Sequence, residues 1–292
     1  MCECFINANK TGHQILIATY EDSGRQPDRQ IELLTRIGGL PNTALWRASD
    51  MTCDQFVAVK LLGNTSQLYF SRYVAALIRL HRIEHPSIVS MIGCNMNGKG
   101  KYVVTSLVTG LNATQWLDFS PLHPMQCARV VSMAADALHH AHINQVIHGS
   151  IKPNNLLIGY DLRPYLTDFG LLRRNLFCMG SQNPFLDCIG YLAPEQVENG
   201  IDRIDEQTDV YSLGAVLYRM LTGHSPFTGS SDLIAAKIVT ESPLCPTRVC
   251  RDVPTALSTI TMKCLEKDPA CRFQSAHELS AALLECTSSP HR

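Results

Sequence analysis

The side chains with the most chemical potential cluster between residues 148 and 170, HGSIKPNNLLIGYDLRPYLTDFG. Lys152-Pro153 and Asn155 precede the triplet Asp168-Phe169-Gly170 by a short strand–turn–strand interval. An amine, a carboxamide and a carboxylate in one short stretch make it the place to look for chemistry, although Asp and Asn in loops also serve as plain turn residues. The twelve cysteines are the other reactive feature. They are scattered, with no C-x-x-C pair and no paired Cys/His spacing of a zinc site. Cys2 and Cys4 form a C-x-C that could bind metal; the rest read as small apolar residues in a reducing compartment.

These residues need elements to position them, and the chain has the means to build such elements. Its 292 residues allow one large domain or two modest ones, and 45% hydrophobic residues can bury a substantial core. Twenty-five basic against 26 acidic residues exclude a strongly basic nucleic-acid or membrane-surface protein. No apolar run approaches the ~18 residues that span a bilayer, and the N-terminus lacks the pattern of a secretory signal. The composition therefore fits a soluble cytoplasmic protein. Residues 1–30 are polar and read as a flexible or loosely docked extension. Short β-type runs follow: IELLTRI, TALWRA, FVAVKLL, SIVSMI and KYVVTSLV. Between the third and fourth, Phe70, Val74, Leu77 and Leu80 recur at helical spacing. From 125 onward helices dominate: MQCARVVSMAADALHHAHI is amphipathic, DVYSLGAVLYRMLTG is apolar nearly all round, and SAHELSAALLECT comes last. A small β-rich half followed by a larger helical half predicts a two-lobed α+β architecture.

The stretch at 148–170, with VAVK at 57–60, YLAPEQ at 191–196 and DVYSLG at 209–214, resembles the protein kinase family, in matching order and spacing over roughly 31–286. Lys152 resembles the catalytic-loop lysine of the serine/threonine branch, and the compact chain without an apparent anchor leans towards a bacterial member. The resemblance implies an N-lobe at about 31–108, a C-lobe at about 109–286 and a short tail at 287–292. It implies that Lys60 contacts the α- and β-phosphates of ATP, that Asn155 and Asp168 are the two magnesium ligands, and that Lys152 balances charge near the γ-phosphate. Gly38, Leu45, Ala58, Thr105, Leu107 and Leu157 take nucleotide-binding positions, Thr105 being the gatekeeper. Leu80, Met91, His148 and Phe169 match the hydrophobic column that joins the lobes. Asp209 matches the residue that holds the catalytic-loop backbone, and Glu195 and Arg272 match a buried ion pair.

Against these intact positions stand several departures. The family's His-Arg-Asp is His148-Gly149-Ser150 here, and Ser150 occupies the place of the catalytic base. A serine hydroxyl is far too weak a base at pH 7 to replace a carboxylate. General-base catalysis contributes ~10²–10⁴-fold, or about 3–5.5 kcal/mol, so a kinase of ~1–100 turnovers per second would fall to between about 1 and ~10⁻⁴. In the glycine-rich segment IGGLPNTALWRASD, Gly38 keeps the first glycine while Leu40 and Thr43 take the other two. A Cβ at those sites obstructs the approach of backbone amides to phosphate, and Pro41 removes a donor. Ala76 stands where the family's ion-pairing glutamate belongs, and RYVAALIRL at 72–80 contains no acid. Gly149 replaces the arginine that reads activation-segment phosphorylation, Cys188 replaces a threonine, and Asp187 replaces a glycine.

This asymmetry predicts a pseudokinase, a kinase fold used as a binding or allosteric module, with weak or absent binding of ATP and magnesium. The alternatives are a low-activity serine/threonine kinase and a paralogue that has lost its role. The expected partner is a protein, with no nucleic acid, no membrane anchor and no extracellular sensor. The segment 171–190, apolar at Phe177, Met179, Phe185 and Leu186, reads equally as a partner surface and as a cover over the cleft.

Overall fold

The computed structural model describes residues 7–8, 14–18, 29–39, 43–62, 75–76, 78–80, 84–95, 101–169, 189–199 and 204–288. The chain divides into two compact units, Met1–Glu84 with Val89–Val108, and His85–Ile88 with Thr109–Arg292.

The first unit is built on one antiparallel sheet. Its strands are β1 (Asn7–Ala8), β2 (Gln14–Ala18), β3 (Arg29–Gly38), β4 (Thr43–Asp50), β5 (Gln55–Leu62), β6 (Met91–Asn95) and β7 (Lys101–Ser106), in the order β1-β2-β3-β4-β5-β7-β6. Successive side chains of a strand point to opposite faces, so the register sorts them. Val57 and Val59 pack with Ile31, Leu33, Ala48, Tyr102 and Val104 into a buried cluster, with Trp46, Leu61 and Ile92 against it. The other face of β5 carries Ala58 and Lys60, which lie opposite Thr105 and Val103 of β7.

Two sequence expectations are corrected here. Of residues 1–30, those described join the sheet: β1 pairs with β2, and β2 pairs with β3 through Ile15–Glu32 to Ala18–Arg29. Arg29 also starts β3 and forms an ion pair with the wholly buried Asp50 at the end of β4, so the sheet begins before residue 31. The run SIVSMI is not one strand. Ile88 makes an isolated parallel bridge to Leu166, and β6 begins at Met91. Of the helix expected before it, residues 75–76 and 78–80 are described and helical.

The second unit opens with β8 (Gly110–Asn112), α1 (Ala113–Phe119) and the long α2 (Pro124–Ile143). A 3₁₀ turn (Pro153–Asn155) leads into β9 (Leu156–Gly159) and β10 (Pro164–Leu166), which form a small antiparallel sheet with β8. The remaining helices are α3 (Pro194–Asn199), α4 (Glu206–Thr222), α5 (Ser231–Thr240), α6 (Pro246–Val249), α7 (Thr255–Cys264) and α8 (Ala276–Ser288). Helix α2 buries Ala128, Val131, Ala135, Leu138 and Ala141 at helical spacing and packs against α4 and α8. Helix α4 is buried nearly all round, as its composition predicts. It starts at a capping box, in which the Asp205 carboxylate accepts from the Thr208 N–H at 3.0 Å and the Thr208 hydroxyl meets the Asp205 N–H at 3.1 Å. It ends at Gly223, whose φ of 76° is the left-handed conformation that glycine adopts without strain.

Gly214 lets α4 and α7 approach: a Cβ built there would overlap the Cβ of Cys264. Forced overlap in a packed core costs up to about 3 kcal/mol, while helix propensity returns about 1 kcal/mol for Gly→Ala. Gly214→Ala is therefore expected to destabilise the protein by about 2 kcal/mol, measurable as a lower urea midpoint with an unchanged m-value.

Among the described residues eight cysteines carry thiols outside any disulfide. Burial pushes the thiols of Cys127 and Cys264 up to about 12, so both behave as apolar core atoms. Cys2, Cys4, Cys178 and Cys188 lie outside the described residues. No helix of the described residues is long and apolar enough to cross a membrane.

Candidate functional site

In the sheet unit, the register gathers most of the expected nucleotide residues on one face. Leu45 lies opposite Lys60, Ala58 opposite Thr105, and Gly38 opposite Leu45. Lys60 is half-buried on that face and Ala58 is buried. Leu107 follows β7 outside any strand and is half-buried. Gly39 adopts a φ of 113°, and a Cβ there would overlap the Thr43 carbonyl, so the second glycine of the pair is required by the chain's own turn. Leu40 and Pro41 lie outside the described residues, while Thr43 begins β4. Ala76 is helical and half-buried.

In the helical unit, the loop at 148–150 is held by a buried carboxylate. Asp209 Oδ2 accepts from the His148 N–H at 2.8 Å, and Oδ1 accepts from the Gly149 N–H at 2.7 Å. His142 Nε2 lies 2.9 Å from Asp209 Oδ2, giving the carboxylate a third partner. For both loop amides to converge on one carboxylate the chain must turn sharply, and Gly149 does so at a φ of 67°. A residue with a Cβ would carry a strain of about 1–2 kcal/mol there. The Gly149 carbonyl accepts from Gln196 Nε2 at 3.0 Å, and Gln196 Oε1 accepts from the Ala193 N–H at 2.9 Å. Buried Gln196 thus ties the loop to the start of α3.

The His148 ring is wholly buried and stacks on Phe169, with centroids 4.3 Å apart. Its Nδ1 accepts from the Ser150 N–H at 3.3 Å, which places the ring proton on Nε2. Burial pushes its pKa down, against the favourable charge of Asp209, and keeps the ring neutral. His148 therefore orients the Ser150 backbone and does not act as a base on the Ser150 hydroxyl. Leu80 and Met91, the other expected members of the hydrophobic column, are both buried in the first unit.

The 3₁₀ turn carries Asn155, which is buried. Its Nδ2 donates to the Ser150 carbonyl at 2.8 Å, and its own carbonyl accepts from the Thr167 N–H at 3.1 Å. The first bond fixes the amide orientation and leaves Oδ1 as the atom that could meet a cation; the second links Asn155 to the residue beside Asp168. Asp168 itself adopts a φ of 66°, in the left-handed region that an aspartate tolerates better than most residues. Such strain collects at functional sites. Two oxygen donors, one charged, suit magnesium, which is commonly held by one or two carboxylates with substrate phosphates completing its shell. Among the described residues no three His, Cys, Asp or Glu side chains converge to form a metal cage without such a substrate. Lys152 is half-buried before the turn, and Leu157 is half-buried on β9.

Glu195 on α3 meets Arg272 in a two-pronged pair, with Nη1–Oε1 at 2.8 Å and Nη2–Oε2 at 2.9 Å. Arg272 is 2% exposed, and its remaining donors reach the carbonyls of Gln207, Glu266 and Lys267. Burial opposes ionisation of Glu195, but the Arg272 guanidinium outweighs it and holds the carboxyl below its ordinary value.

Sequence reasoning located these positions but missed two of the residues that brace them. Gln196 was legible only as part of YLAPEQ, and His142 as part of an amphipathic pattern; their partners lie 47 and 67 residues away. Cys188, Asp187 and the apolar positions Phe177, Met179, Phe185 and Leu186 lie outside the described residues.

The chain is similar to known proteins over most of its length. The sequence matches the protein kinase domain family over residues 43–283. It is 30% identical over 265 residues to the serine/threonine-protein kinase PrkC of Bacillus subtilis, covering 88% of this chain and 40% of that protein. It is 31% identical over 259 residues to the serine/threonine-protein kinase PknB of Mycolicibacterium smegmatis, covering 85% of this chain and 41% of that protein. The chain thus spans about two fifths of the length of these relatives. Among solved structures, the PknI kinase domain of Mycobacterium tuberculosis superposes with a TM-score of 0.67 at 22% identity, covering 87% of this chain and 95% of that one. A single-substitution variant of that domain gives 0.70 at 20% identity, covering 89% and 96%. With its β-sheet lobe, its helical lobe and a family match spanning most of its length, the chain belongs to the protein kinase family.

Proposed function

We propose that this chain is a pseudokinase: a protein kinase fold that serves as a binding and allosteric module for a protein partner, binds magnesium–ATP weakly, and is impaired in phosphoryl transfer to other proteins. The observation that carries this reading is Ser150. Its loop is braced by hydrogen bonds with Asp209, Gln196, His148 and Asn155, yet it presents a hydroxyl where the family presents a carboxylate. A braced loop without its base is consistent with a fold maintained for something other than rapid transfer. Ala76, at the helix position where the family carries an acid, supports the same reading.

Asn155 and Asp168 are the residues that would hold magnesium, which supplies charge neutralisation at the phosphates. Weak nucleotide binding is tested by thermal denaturation with ATP and magnesium. Ligand at about five times its dissociation constant stabilises by about 1 kcal/mol, a rise of about 2–4 °C in Tm for a chain of this size. No rise with ATP, with or without magnesium, would remove nucleotide from this reading.

The Asn155 Oδ1 and the left-handed backbone of Asp168 favour a second reading, a slow serine/threonine kinase, because positioning and electrostatics supply much of phosphoryl-transfer catalysis. Transfer of labelled γ-phosphoryl to a protein substrate, lost in both Lys60→Ala and Asp168→Ala, would establish it in place of the first.

A further inference from the structure

Ser150 is held by its backbone alone. Its N–H is taken by His148 Nδ1 at 3.3 Å and its carbonyl by Asn155 Nδ2 at 2.8 Å. The preceding residue is fixed at both its N–H, by Asp209, and its carbonyl, by Gln196. The side chain is half-buried, and among the described residues its hydroxyl forms no hydrogen bond. A hydroxyl with one proton and two uncommitted lone pairs therefore stands on a rigid loop, five residues before Asn155.

We propose that Ser150 is itself a phosphoryl acceptor, modified within its own chain by a nucleoside triphosphate held through magnesium on Asn155 and Asp168. The proposal rests on the nucleotide-binding part of the reading above. In the step, a bond forms between Ser150 Oγ and the γ-phosphorus, and the bond from that phosphorus to the β–γ bridging oxygen breaks. The nucleoside diphosphate leaves, and the hydroxyl proton passes to a γ-phosphoryl oxygen and then to solvent. The missing base costs ~10²–10⁴-fold for any acceptor. An acceptor fixed in the same site gains an effective molarity of up to ~10⁵–10⁸ M over one arriving from solution. With the hydroxyl within about 3–3.5 Å of the γ-phosphorus, the second effect outweighs the first, an advantage no diffusing substrate shares, so one slow self-modification is compatible with impaired transfer to other proteins. The product carries about −1.5 to −2 charges at pH 7, with a second pKa near 6. It places oxygen-rich negative charge at the position where the family carries its carboxylate.

The test incubates the full chain with magnesium and γ-labelled ATP and follows intact mass and peptide mapping. The expected result is one phosphoryl group per chain on the Ser150 peptide, with a first-order rate independent of protein concentration. The label should be absent in Ser150→Ala and Asp168→Asn and recovered in part in Ser150→Thr. Thermal denaturation of the unsubstituted chain with ATP separates the two ways of failing. If ATP raises Tm but Ser150 stays unmodified, the inference is overturned and nucleotide binding stands. Label on another residue, label that persists in Asp168→Asn, or a rate proportional to protein concentration overturns it equally. If ATP leaves Tm unchanged, the nucleotide reading fails and the inference falls with it.

Discussion

Replacing Glu195 by alanine is expected to destabilise the helical unit by about 3 kcal/mol, at the lower end of the 3–5 kcal/mol that follows removal of one partner from a buried ion pair. Arg272 is almost fully buried, and without Glu195 its guanidinium would lose the carboxylate that pairs with it. The carbonyls of Gln207, Glu266 and Lys267 would still accept its protons, which is why the upper end is not reached. Thr208 would also lose the acceptor that its hydroxyl finds at 2.8 Å, so the start of α4 should loosen together with α3. Urea denaturation at pH 7 gives the size of the loss. The pH dependence gives its origin. Because the folded carboxyl titrates below its ordinary value of 4.5, its contribution is fully present above about that pH and is lost as pH falls further. Wild type and Glu195→Ala should therefore differ at pH 7 and converge as the solution is acidified. A difference that stays constant through that window would assign the loss to packing and not to the charge pair.

The second large effect is expected at Asp209. Asp209→Ala would strand two buried backbone N–H groups, of His148 and Gly149, together with His142 Nε2. Each unsatisfied buried donor costs about 1–3 kcal/mol, so the loss should be at least about 3 kcal/mol. Asp209→Asn is not a gentle substitute, since three donors converge on the carboxylate and the amide would turn its own NH₂ towards at least one of them. The local signature separates this from general destabilisation. Amide hydrogen exchange at His148 and Gly149 should accelerate more than exchange at the buried positions of α2, because those two amides lose the carboxylate that accepts from both. Equal acceleration throughout the unit would mean that Asp209 supports the global fold and not the loop in particular.

Much of this molecule was legible in the residue order. The strands 43–50, 55–62 and 101–106 and the helices 124–143, 206–222 and 276–288 follow from local periodicity, which needs only neighbours a few positions apart. Where the local pattern is weak, expectation and structure part. Residues 14–18 are too few to declare themselves as a strand until β3 pairs with them, and SIVSMI contains a bridge and a strand start that its apolar run does not separate.

The site divides in the same way. The sequence by itself determined which functional groups are present: a hydroxyl and no carboxylate at 150, an alanine at 76, a carboxamide at 155, a carboxylate at 168 and a glycine at 149. Chemical identity is a property of each residue and needs no fold to be read. What each group is committed to was decided only by the tertiary structure. The left-handed turn at Gly149, where two amides converge on Asp209, and the hold of Gln196 on the loop rest on bonds between segments 47 to 61 residues apart, and they keep in place the local bonds that set the His148 tautomer and the Asn155 amide. Partners at that separation are chosen by how helices and strands pack, and hydrophobic periodicity carries no information about which polar atoms then meet.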